Sequence, residues 1–125
     1  MQKIKPKVQL FKEHHFTQVY HLSAVHPTDA AINPMLVWDL EIKGLMNILE
    51  IATENKVSKV FWPGILNSDE LSVAGISKLA GEHWCRYYTN RYHLDVRTMR
   101  LPCNQNTVAT VADILRLMEV SPVIV

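Results

Sequence analysis

Lys78 is the residue in this chain best placed to do chemistry, and the position that decides its use is Ala74. The segment Gly75-Ile76-Ser77-Lys78-Leu79-Ala80-Gly81-Glu82 reads as helix, and residues four apart on a helix share a face. A tyrosine four positions before a lysine forms an acid/base pair. The ammonium lowers the phenol pKa, so the ring hydroxyl can exchange a proton with a substrate hydroxyl or carbonyl. Here the ammonium is present and the phenol is replaced by a methyl group.

The other reactive side chains are scattered. The six histidines, His14, His15, His21, His26, His83 and His93, form neither HxxxH nor HxH, so no metal site is expected. Cys85 and Cys103 lack CxxC spacing and predict neither a disulfide framework nor zinc. Cys85 falls among Trp84, Tyr87 and Tyr88 and reads as a small buried thiol in a reducing compartment. Trp38, Trp62 and Trp84 read as core or interface aromatics.

Strands alternating with long helices must position these groups. Residues 1–16 form a basic amino-terminal segment, with Lys3, Lys5, Lys7 and Lys12 interrupted by Pro6, expected as a solvated, partly disordered tail in which Val8 to His15 is weakly helical. Residues 17–125 read as one α/β domain. A strand runs from Phe16 or Thr17 to Ser23, followed by a loop over 25–32. Asn33-Pro34 then starts a helix, the asparagine capping and the proline taking the first turn. Val37, Leu40, Leu45, Ile48, Leu49 and Ala52 carry that helix to about Asn55.

Lys59 to Trp62 predicts a second strand, stopped by Pro63-Gly64. Ile65 to Leu71 reads as a polar loop. Val73, Ile76, Ala80, Trp84 and Tyr87 form an apolar stripe on a second long helix. Asp95 to Arg100 is a third strand, and Val108, Val111, Ala112, Leu115 and Met118 mark a third helix. Val123-Ile124-Val125 reads as a closing strand. The expected architecture is half of a doubly wound parallel sheet, with three to four strands and three flanking helices.

A net charge of +1 argues against a nucleic-acid footprint. No apolar run approaches the ~20 residues of a membrane span, and the amino end reads as neither secretory signal nor transit peptide.

Several motifs together give the chain a family resemblance over about residues 17 to 102. Val19-Tyr20-His21-Leu22-Ser23-Ala24 resembles the fourth-strand signature of extended short-chain dehydrogenase/reductases, the NAD-dependent epimerase/dehydratase family. Trp38-Asp39-Leu40 to Glu50, Lys59-Val60-Phe61-Trp62-Pro63, Gly75 to Glu82, Trp84 to Tyr88, and Asp95-Val96-Arg97 to Pro102 are similar to its L-threonine 3-dehydrogenase branch.

The resemblance implies a partial Rossmann-like fold lacking the first βαβαβ unit. It also implies oxidation of L-threonine to 2-amino-3-ketobutyrate with NAD. His21, Leu22, Ser23, Ala24, Lys78 and Pro102 would line the cofactor, with Lys78 on the nicotinamide ribose. Trp62 would lie near the nicotinamide.

The departures from the pattern are equally specific. The four glycines, at 44, 64, 75 and 81, form no GxGxxG. Pro63-Gly64-Ile65-Leu66 stands where the family carries its catalytic hydroxyl, and Ser68 or Ser72 could replace it only if the loop folds back. Glu41 matches the position of a helix asparagine. Without its phenol, Lys78 also reads as a solvated lysine beside a helix amino end, a vestige of catalysis. Together these departures predict an inactive relative.

The resemblance further implies a homodimer, or pairing with a full-length relative, through helices 34–54 and 72–92. Trp38, Met46, Trp84 and Tyr88 are the expected anchors. A chain with no selected role is the remaining alternative. Mitochondrial or cytosolic location follows from resemblance alone.

Overall fold

Asn33 and Pro34 start the first long helical run as their chemistry requires. The Asn33 side-chain oxygen accepts from the Leu36 amide at 3.2 Å, and Pro34 occupies the first turn. The computed structural model describes residues 4–22, 33–66, 71–102 and 108–119. In order these form helix α1 (Ile4–Glu13), strand β1 (Gln18–Tyr20), helix α2 (Pro34–Trp38) and a π-helical turn (Asp39–Lys43). Helix α3 (Gly44–Glu54), strand β2 (Lys59–Leu66), helix α4 (Val73–Tyr92), strand β3 (Asp95–Pro102) and helix α5 (Val108–Glu119) follow.

The three strands form a parallel sheet in the order β1-β2-β3. Period-2 alternation sorts β2 onto two faces. Val60 and Trp62 join Leu45, Leu49, Ala52, Cys85 and Tyr88 under α3 and α4. Phe61 points the other way, onto Ile114 and Met118 of α5. This is a partial Rossmann-like layer arrangement, as expected. Trp62 is fully buried. An indole removes roughly 200 Å² of surface from water, about 5 kcal/mol of gross burial energy.

The cationic ends of the strands fasten α5. Lys59 donates to the Met118 carbonyl, and Arg97 donates to the Leu117 carbonyl at 2.6 Å. Both satisfy carbonyls left open by the last helical turn and set positive charge at its negative end.

Four expectations change. The weakly helical stretch read over Val8 to His15 is a helix, but it starts earlier, at Ile4, and Phe11 packs against the main core where a solvated tail was expected. Strand β2 does not stop at Pro63 but runs on to Leu66. Lys59 N–H is donated to Thr17, and Phe61 O accepts from His21, so odd positions of β2 face β1. Pro63 therefore turns its missing amide past Tyr20, the end of β1, and costs no ladder bond to β3.

The expected apolar stripe of α4 lies outward, with Ile76 48%, Trp84 36% and Tyr87 48% exposed. Gly75, Ser77, Lys78, Gly81, Cys85 and Tyr88 form the buried face instead. Close approach of the helix to Trp62 selects small residues there. On α5, likewise, Val111 and Leu115 are exposed while Ile114 and Met118 are buried. The loop over 25–32 and the closing strand at 123–125 lie outside the described residues.

Candidate active site

Lys78 enters the core on the second turn of α4. Ser72 starts that helix, its hydroxyl accepting from the Gly75 amide at 3.0 Å. Six residues on, the Lys78 ammonium lies 3.0 Å from Glu41 Oε2, with the two side chains only 4% and 5% exposed. It also donates to the Pro63 carbonyl at 3.2 Å and sits 4.5 Å from the Trp62 ring centre. The solvated-lysine expectation is thus overturned. Attraction to a carboxylate, a carbonyl and an aromatic face offsets the desolvation of the ammonium.

Each partner has a local cause. By alternation along β2 the Pro63 carbonyl faces the side where β1 has ended, so Lys78 replaces a missing ladder donor. Glu41 lies four residues after Val37 and four before Leu45, both buried. It therefore occupies the core stripe of its helix, within the π-helical turn. Leu40, assigned to that stripe from the sequence, is exposed.

No phenol completes the pair. Ala74 is half-buried, four residues before Lys78. The buried tyrosine of α4, Tyr88, donates its hydroxyl to Glu50. Burial and that bond push its pKa up, the opposite of what a proton-exchanging phenol needs. Tyr88 is accordingly a core residue rather than an interface anchor, and Met46 packs partly buried against the same core. Cys85 is buried as expected, with its thiol pushed up to about 12 by desolvation first and the Glu82 charge second.

The other expected site residues that are described lie at the strand ends and at the start of α4. His21 is half-buried and pairs its backbone with Phe61, and Leu22 is exposed. Ser23, Ala24 and Ser68 lie outside the described residues, and Ser72 is spent on the helix cap. Pro102 ends β3 opposite Leu66. Trp62 is a core residue in the middle of β2, not a residue at a ligand surface. Among the described residues no three His, Cys, Asp or Glu side chains gather as a metal site.

A nicotinamide cofactor here would ask Lys78 for hydrogen bonds to ribose hydroxyls. The ammonium has three donors and already faces Glu41, Pro63 and Trp62 beneath the surface. Ser77 Oγ and Trp62 Nε1 have no hydrogen-bond partner among the described residues, but both are shut off from solvent. Among the described residues, the surroundings of Lys78 do not fit the group.

Glu41 is the functional residue that the sequence reading undervalued. A carboxylate at a core position of a helical stripe demands a buried cation, and Lys78 is that cation.

No family model matches the chain. It is 34% identical over 97 residues to an uncharacterised epimerase/dehydratase of Staphylococcus saprophyticus, covering 66% of this chain and 30% of that protein. It matches a GalE-like L-threonine dehydrogenase from Cupriavidus necator, holo form, with 31% identity and a TM-score of 0.72, over 78% of this chain and 38% of that one. A UDP-glucose 4-epimerase from Thermotoga maritima gives a TM-score of 0.71 over 79% of this chain and 39% of that one; its 19% identity speaks for the fold alone. The chain spans about a third of the length of the curated relatives it matches.

Proposed function

Because the chain is a relative of the epimerase/dehydratase family of short-chain dehydrogenases, with L-threonine 3-dehydrogenases among its structural neighbours, we propose that it keeps the scaffold for protein association and has lost the family's hydride-transfer chemistry. One observation carries this reading: the ammonium of Lys78 is held by Glu41, and Ala74 stands where the phenol would be. A threonine dehydrogenase removes a proton from the 3-hydroxyl as hydride leaves the adjoining carbon. Ala74 offers no group to receive that proton, and Lys78 is already turned to Glu41, the Pro63 carbonyl and the Trp62 ring.

The outward stripe of α4 supports the association half. Ile76, Trp84 and Tyr87 recur at helical spacing on the exposed side, and α2 adds exposed Leu36 and Trp38. Trp84 and Tyr87 pack edge to face at 5.7 Å, a rigid aromatic pair of the kind that anchors interfaces. Self-association, or pairing with a longer relative, through helices 34–54 and 72–92 is the proposed use.

The test combines two measurements on the purified chain. A threonine-dependent NAD reduction assay, run beside a complete L-threonine dehydrogenase, is expected to show no turnover. Light scattering is expected to show concentration-dependent dimers. Turnover that Lys78→Ala abolishes would overturn the first half, and a monomer at high concentration the second.

A further inference from the structure

We propose that Glu41 and Lys78 form a closed structural pair that makes this fold indifferent to pyridine nucleotide, Glu41 serving as the internal occupant of the ammonium. The inference goes beyond lost turnover, since a catalytically silent chain can still bind a cofactor.

The geometry supports it from three sides. Glu41 comes from the π-helical turn, the Pro63 carbonyl from β2 and Lys78 from α4, so one ammonium ties three elements together. Both side chains are at least nine-tenths buried, where an unpaired charge is costly and a satisfied pair is neutral overall. The Trp62 face closes a further direction around Nζ. A ribose hydroxyl that took the place of Glu41 on Lys78 would leave a buried carboxylate with its charge partner removed.

This pairing predicts strong non-additivity. Removing either partner leaves the other as a buried charge, whereas replacing both with apolar residues of similar volume removes the problem altogether.

The experiment is thermal unfolding of the full chain as wild type, Glu41→Leu, Lys78→Met and the double variant, each with and without saturating NAD. Each single variant is expected to lose roughly 10 °C or more, and the double to recover most of it. NAD is expected to leave the wild-type midpoint and the tryptophan emission unchanged. A double variant no more stable than the weaker single would overturn the pairing. A saturable NAD response of the wild type would overturn the nucleotide independence, whether or not the singles fold. That last result would leave the absence of turnover standing unless threonine also reduced the bound cofactor.

Discussion

Gly81 of α4 abuts the indole of Trp62 so closely that a β-carbon at position 81 would lie 2.2 Å from Cη2 and 2.7 Å from Cζ2. The helix approaches β2 to within the thickness of a glycine because Trp62 fills the space between them. Gly81→Ala is expected to cost about 2–3 kcal/mol, as overpacking of a rigid ring does. Denaturant unfolding measures it. A cost below about 0.5 kcal/mol would show that the indole yields readily.

Alkali should unfold the chain through its buried acids. Cys85 is raised from 9.0 to about 12, so between those values the unfolded thiol has lost a proton that the folded one keeps. The unfolded state then binds fewer protons, and stability falls as pH rises. The contribution is complete below pH 9 and disappears as pH climbs toward 12. Tyr88, also raised, acts with the same sign. A melting series from neutral to strongly alkaline pH should slope downward, and Cys85→Ala should flatten its first part. An unchanged slope in that variant would remove the thiol from the explanation.

Charge on the outward stripe should separate association from folding. Trp84→Glu with Tyr87→Glu alters exposed positions, so the melting temperature is expected to shift little. Light scattering should then report monomers, since a carboxylate at the centre of an apolar contact is buried without a partner. Unaltered dimers would place the interface elsewhere.

The two side-chain caps make a smaller and cleaner test. Asn33→Ala and Ser72→Ala each remove the acceptor of an amide at a helix start. Each is expected to cost about 1 kcal/mol in denaturant unfolding. A near-zero cost at Ser72 would mean that water satisfies the Gly75 amide equally well.

The sheet was legible in the sequence because strand and helix periods are local. Asn33-Pro34 marks a helix start by rules acting within four residues, and the order of elements implies parallel pairing. The buried faces were less legible. On α4 the apolar residues read as the core stripe lie outward, because Gly81 and Ser77 are selected by a close approach that hydrophobicity does not encode. At β2, Pro63 reads as a stop only until it is known that β1 ends beside it. The site was half visible. Position 74 shows what is missing, while the Glu41–Lys78 pair joins residues 37 apart and needs the stacked helices to appear.

Lysine labelling read residue by residue in mass spectrometry tests the withdrawal of Lys78 most directly. Lys43, whose side chain is 71% exposed, serves as the reference against Lys78 at 4%. Under native conditions an amine-reactive reagent is expected to modify Lys43 promptly and leave Lys78 untouched until the chain unfolds. Native modification of Lys78 at the pace of Lys43 would contradict the account, for it would put the ammonium back within reach of a ligand.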